Sequence, residues 1–66
     1  MTMLKVIEVL AESNKSWEDA AQVAVTNAAK TVRGVRSVYV ENFQATVKDG
    51  KVANYRVNAK LTFELE

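Results

Sequence analysis

The stretch "VANYRVNAKLTFEL", residues 52–65, decides the fold. Tyr55, Val57, Ala59, Leu61, Phe63 and Leu65 are apolar and odd; Asn54, Arg56, Asn58, Lys60, Thr62 and Glu64 are polar and even. Successive side chains of a strand point to opposite faces, so this alternation sets one face against a core and the other against water or a polar interface. Residues 52–65 therefore read as a long strand.

Just upstream, Lys48-Asp49-Gly50-Lys51 is a hairpin turn with Asp-Gly at its tip, a strong short-range signal. The segment 35–48 is its partner strand. There Tyr39, Phe43, Ala45 and Val47 alternate with Val38, Val40, Gln44 and Lys48, so both faces carry apolar residues. Before it, "WEDAAQVAVTNAAKTVR", 17–33, has helical spacing: Trp17, Ala20, Ala21, Ala24, Ala28, Thr31 and Val32 share a stripe, with Val25 on its flank. Ser16 is placed to cap this helix, with Asp19 three residues on. Glu18 and Asp19 in the first turn and Lys30 and Arg33 in the last suit the macrodipole, and Gly34 is the stop. The stripe is mostly alanine, so the helix can lie close to a sheet, and Trp17 is its one large anchor, read as core packing. Residues 3–10, "MLKVIEVL", form a first strand with Lys5, Ile7 and Val9 on one face and Leu4, Val6, Glu8 and Leu10 on the other, partly covered on both sides. Residues 11–16 are the break.

The order is β-α-β-β, in one domain spanning 1–66. A right-handed crossover makes the first two strands parallel, and the last can lie between them, antiparallel to both. The expected fold is α+β: a three-stranded sheet in order 1-3-2 with one helix on its apolar face.

Sixty-six residues bury only about 60% of the surface their unfolded chain exposes. Chains this short usually add disulfides, a metal or a partner. With no Cys and no His, disulfides and ordinary zinc or iron sites are excluded, which leaves oligomerisation. A net charge of +1 gives no electrostatic case for nucleic acid or an anionic membrane. No apolar run approaches the ~20 residues of a membrane span, and the N-terminal segment reads as a strand rather than a signal peptide, so a cytoplasmic protein is expected. No nucleophile–base spacing points to an enzyme.

Lengths do not match. The helix is about 25 Å long, the strands of the hairpin roughly 37 to 46 Å. Strand one is too short to pair with all of strand three. Either the hairpin tip frays in a monomer, or the overhang, with Leu61, Phe63 and Leu65, packs on other subunits; the apolar content favours the second.

From "KVIEVLAES" and "SWEDAAQVAVTNAAKTVRGVRSVYVENF" to "YRVNAKLTFEL", nearly the whole chain resembles the dodecins, small flavin-binding proteins. The resemblance implies a protomer whose long sheet curls around its helix, twelve copies forming a hollow sphere of cubic symmetry, and a role in ligand binding or storage. In flavin-binding members a Trp opening strand two stacks on the isoalloxazine ring; Ser37 stands there in this chain. Arg56 occupies the place of a Gln that bonds the ring edge, and Gln44 that of an Arg further along strand two. Stacking is worth about 1 to 3 kcal/mol for a nucleobase-sized ring, so riboflavin, FMN or FAD would lose its platform here. The chain is more similar to members without that Trp, which implies calcium-containing assemblies.

Other readings stay beside these. Arg56, Asn58 and Lys60 are a solvated or inter-subunit face, or a donor row for an anionic or carbonyl-rich ligand. Glu41, Glu64 and Glu66 are solvated carboxylates, or oxygen ligands for Ca²⁺ at a symmetry axis. Tyr39 and Tyr55 read as packing residues with hydroxyls at the rim. Three functions remain in view: a ligand-storing dodecamer, a calcium-stabilised or structural cage, and an adaptor that binds another protein through a free sheet edge.

Overall fold

The Asp-Gly turn forms as its residue types demand. In a computed structural model, which describes residues 2–65, Asp49 and Gly50 have φ of 52° and 76°, both positive as a two-residue type I′ turn requires. Lys48 pairs with Lys51 across it. The elements are β1 (Met3–Ser13), α1 (Trp17–Ala29), β2 (Val35–Lys48) and β3 (Lys51–Leu65). The sheet order is β1-β3-β2 with both pairings antiparallel, and α1 packs on one face. Among the described residues, no helix is long and apolar enough to cross a membrane.

The alternation along β3 does what its period implies. Val57, Ala59, Leu61 and Phe63 are buried against the helix side. Ala11, Ala20, Ala24, Val57 and Ala59 form one cluster, with Val9 packed on it. Ala20 and Ala24 present only methyl groups, so the helix axis approaches the sheet closely.

Three boundaries differ from the sequence reading. β1 does not break at residue 11 but runs through Ser13. Ala11 pairs with Val57 and Ser13 with Tyr55, and both Ala11 and Ser13 are buried. The Ser13 hydroxyl donates to Asp19 Oδ2 at 2.6 Å and accepts from the Lys15 N–H, while Ser16 Oγ caps the Asp19 N–H at 2.9 Å. The helix ends at Ala29, not Arg33. The N–H groups of Thr31 and Val32 both turn back to the Ala28 carbonyl, where two β-branched residues close the helix in a tight turn. Lys30 is the C-cap, so no basic residue sits in the last turn. Third, Leu61 and Phe63 are not overhanging. β1 pairs with the whole end of β3, up to Met3–Leu65, and the Glu64 N–H donates to the Gly34 carbonyl at 3.0 Å. Of Leu61, Phe63 and Leu65, only Leu65 is exposed. The overhang lies at the opposite end, the hairpin tip, where Val47 and Val52 are exposed in a molecule 51 Å long.

β2 spans 35–48 as expected, but its facing does not follow simple alternation. Register irregularities between Val35 and Ser37 and between Val40 and Asn42 each add a residue. Each extra residue reverses the facing of the strand residues after it. Val38, Val40, Phe43 and Ala45 therefore lie opposite Leu61, Ala59, Val57 and Tyr55 on the helix side; Ser37, Tyr39, Asn42 and Gln44 lie on the outer face. Phe43 is thus on the opposite face from Tyr39, not beside it.

Gly34 sits at φ 74°, and an added Cβ would lie 3.1 Å from the Glu64 carbonyl oxygen; the space around Gly50 is open. Gly50→Ala should cost about 1–2 kcal/mol for its left-handed backbone alone. Gly34→Ala should cost more. Denaturant unfolding at one fixed protein concentration measures both, and equal losses would remove the close approach as a cause.

Candidate functional site

The outer face, away from α1, is where the residues singled out for ligand and metal binding gather. It is built from the even positions of β1 and β3 and the shifted set of β2. Along β3 the cross-strand pairs run Gln44–Arg56, Asn42–Asn58, Tyr39–Lys60 and Ser37–Thr62. Gln44 and Arg56 are therefore direct neighbours. Ser37 is six β3 positions away from them, roughly 20 Å at the usual rise per residue. Within one chain, Ser37 does not join the other two.

Three ion pairs cross this face among the described residues. Arg56 Nε donates to Glu12 Oε1 of β1 at 2.6 Å. Lys60 Nζ meets Glu41 Oε1 of β2 at 3.0 Å, and Arg36 of β2 meets Glu64 Oε1 at 3.0 Å. They recur every fourth residue of β3, and each links two strands. All are solvent-accessible, so each is worth at most about 1 kcal/mol. The pKa of Lys60 is raised by the hydrogen bond to Glu41, then by the charge of Glu41, with Glu8 and Tyr39 adding to it. The sequence reading missed Glu12 as the partner of Arg56, because β1 had to extend past residue 10 to bring it into register.

Glu41 already holds Lys60 and Glu64 already holds Arg36, and the β3 members of the two pairs, Lys60 and Glu64, lie four residues apart, roughly 13 Å. No three acidic side chains converge among the described residues. Glu66 lies outside the described residues. A calcium ion takes six to eight oxygens, so carboxylates from more than one copy would be needed around Glu41 or Glu64.

Trp17 is not a core residue. It is 38% exposed and stands at the rim between α1 and the hairpin. Its indole N–H donates to the Gln44 carbonyl at 2.8 Å. Its ring meets Tyr55 edge-on at 4.9 Å and tilts against Phe43 at 5.3 Å. Trp17 thereby fixes the backbone of the strand that presents Gln44 beside Arg56. Tyr55 packs against it as expected, whereas Tyr39 is 64% exposed on the outer face.

Comparison with known proteins places this geometry among others. The family model described as Dodecin matches residues 3–66. The calcium dodecin of Mycobacterium tuberculosis is 35% identical, with 98% of this chain and 92% of that protein covered. Among solved structures, dodecin from Streptomyces coelicolor superposes with a TM-score of 0.94 at 34% identity, covering 98% of this chain and 93% of its own. The crystal structure of the M. tuberculosis calcium dodecin, described as calcium-chelating with a novel calcium-binding site, gives a TM-score of 0.84 at 32% identity, with 97% and 91% covered.

The Glu41–Lys60 pair has a defined pH signature. A lysine pKa raised on folding stabilises the fold fully below its ordinary value of 10.5, and the gain is lost as pH rises through the folded value. Glu41→Gln should therefore be slightly less stable than the parent at neutral pH. The difference should close above pH 10.5 in denaturant titrations. A gap independent of pH would show that Glu41 acts through packing rather than charge.

Proposed function

The chain belongs to the dodecin family, and from that premise we propose that it is a small-ligand binding and storage protein that works as a hollow shell of twelve copies, not as an enzyme. One observation carries the assembly. The single chain exposes 4999 Å², whereas a folded monomer of 7.3 kDa exposes about 4,200 Å² by mass scaling. The surplus of about 800 Å² equals what one partner buries in a standard protein interface. It is apolar in character: Leu4, Val6 and Leu10 on β1, Phe43 on β2 and the tip valines are all more than half exposed.

The ligand sites of such a shell lie between copies, on the outer face that carries Ser37, Gln44 and Arg56. Ser37 offers a hydroxyl where a flat ring needs an aromatic surface, and Arg56 is engaged by Glu12. This disfavours riboflavin, FMN or FAD as the natural ligand. A second reading, favoured by the likeness to the M. tuberculosis calcium dodecin, is that the shell takes calcium. Glu41 and Glu64 are its candidate oxygen donors, released from Lys60 and Arg36 and joined by carboxylates of neighbouring copies.

Native mass spectrometry tests the shell. Twelve copies of 7.3 kDa give about 88 kDa, and a species near one chain's mass would end this reading. Thermal melting of the same sample with excess calcium and with a chelator tests the ion. A site saturated a hundredfold above its dissociation constant stabilises by about 2.7 kcal/mol, and identical midpoints would remove calcium as a ligand.

For flavin, riboflavin emission should stay unquenched at tens of micromolar parent protein. Ser37→Trp should restore quenching if only the platform is missing. Strong quenching by the parent would show that the ring is held by other means.

A further inference from the structure

Away from the outer face, two features stand apart: an apolar groove and the hairpin tip. The groove, of about 410 Å³, lies between α1 and β1 and is lined by Ile7, Val9, Val23 and Val32; Glu12, its one charged lining residue, is held by Arg56. The tip differs, because its backbone has covalent chemistry of its own. The backbone nitrogen after an aspartate can attack the side-chain carboxyl, closing an unstrained five-membered imide. A folded chain permits this under three conditions. The next residue has no Cβ in the way, its N–H is not held by another group, and the chain can turn about the aspartyl Cα–C bond.

Asp49-Gly50 meets all three. Nothing lies within 4 Å of the place where a Cβ on Gly50 would stand. In a two-residue turn the flanking residues, here Lys48 and Lys51, exchange the cross-strand bonds, which leaves the Gly50 N–H free to solvent. Residues 47–52 are all exposed, and such loop tips are where local opening concentrates. Asp49 also sits at φ 52°, a left-handed backbone that is costly for an L-residue. The chain carries its own control. Asp19, its other aspartate, precedes Ala20, which has a Cβ and is fully buried. The Ala20 N–H donates to the Ser16 carbonyl at 3.0 Å, and Asp19 Oδ2 accepts from the Ser13 hydroxyl at 2.6 Å.

We propose that Asp49 is a site of spontaneous isomerisation, through which the folded protein converts its tip to an isoaspartyl form. The Gly50 nitrogen bonds to Asp49 Cγ. The Cγ–OH bond of the protonated carboxyl breaks, and the hydroxyl leaves as water with the amide proton. Water then opens the imide. Opening at Cγ restores aspartate. Opening at the main-chain carbonyl breaks its bond to the Gly50 nitrogen, so the chain runs through Cβ and the main-chain carboxyl is free. One water leaves and one enters, and no oxidant is needed. The charge is unchanged, but the backbone gains an atom between Lys48 and Lys51. A two-residue turn no longer closes over it, so the Lys48–Lys51 and Val47–Val52 pairs come apart. The tip thereby records the age of the molecule.

The test stores the parent at its native mass in mildly acidic buffer, where part of an ordinary carboxyl population is protonated. Isoaspartate is counted by methyl transfer from labelled S-adenosylmethionine with an isoaspartyl carboxyl methyltransferase, and peptide fragmentation locates it. The expected result is a steady rise at residue 49 and background at residue 19. Asp49→Asn, which suits the same turn and loses ammonia in place of water, should reach the isoaspartyl form severalfold faster. Gly50→Ala should be severalfold slower. No isoaspartate at 49 in the folded parent overturns the proposal, and a peptide of residues 44–54 stored alongside then shows whether the turn protects the bond. Equal rates at 49 and 19, or in the parent and Gly50→Ala, overturn it too. The readout is the covalent chain, so it holds whatever assembly mass is found.

Discussion

A helix of thirteen residues, about 20 Å long, has to shield a sheet whose central strand has fifteen. Most features of the molecule stem from how that shortage is handled. The helix gains contact by closeness rather than bulk: Ala20 is fully buried and Ala24 nearly so, drawing α1 down onto Val57 and Ala59. Its ends are then tied to the sheet by polar contacts that alanine cannot supply. At the start, Ser13, Ser16 and Asp19 lock the β1–α1 connection, and the Trp17 indole anchors on the Gln44 carbonyl. At the other end Gly34 brings the chain within hydrogen-bond distance of Glu64. What the helix still leaves bare is the hairpin tip and both flanks of β1.

The outer face is held differently. It has no helix over it, and its β3 row is polar from Asn54 to Glu64. Ion pairs every fourth residue tie β1 and β2 to β3 across that row. Their individual energies are small, but each places a charge at a fixed position, and together they occupy every charged side chain of β3 between Arg56 and Glu64. A ligand arriving there meets these charges already paired, and to use them it has to exchange with a partner in place; Glu8 of β1, opposite Lys60, is the exposed carboxylate of this face that enters no ion pair among the described residues. An anion must displace Glu12 from Arg56; a cation must displace Lys60 from Glu41 or Arg36 from Glu64. Each exchange frees a side chain of the ligand's own sign close to the site, so uptake on this face favours ligands that bring several donor atoms at once.

The parts of the fold that were legible in sequence are those governed by strict local rules. The alternation of residues 54–65 and the Asp49-Gly50 turn sufficed for the hairpin, its register at the turn and the antiparallel central strand. The parts that were not legible depend on tertiary register. Nothing in "RSVYVENF" marks which residues become the extra ones of β2, yet that choice moves Phe43 to the helix side and separates it from Tyr39. The same holds for β1. "AES" reads as a break because alanine and serine are weak strand formers, but Ala11 and Ser13 are held in the strand by Val57 and Tyr55 opposite. The helix end was misplaced because Thr31 and Val32 fit the apolar stripe, while their branched side chains favour leaving it. At the candidate site, the residue types at 37, 44 and 56 were readable, and so was the loss of an aromatic platform. Their separation was not, since it depends on strand pairing, and neither was the Glu12–Arg56 bond.

That separation bears on how such a protein can change ligands. Gln44 and Arg56 stand together near the aromatic cluster of Trp17, Phe43 and Tyr55, while Ser37 lies toward the other end of the sheet. A site using all three needs parts of two chains, so it exists only in an assembly. The apolar surfaces that the single chain leaves uncovered are the α1–β1 groove, the hairpin tip and the exposed β1 residues Leu4, Val6 and Leu10. None of them includes position 37, 44 or 56. Substitution at 37 or 44 therefore changes the outer face without touching the groove, the tip or the core under α1, whereas substitution at 56 also releases Glu12, which lines the groove. The alternating geometry of the sheet makes this possible, because adjacent residues of one strand face different neighbours. A small family fold with one short helix can in this way keep its architecture while the chemistry on its outer face drifts from aromatic stacking to polar and ionic contacts.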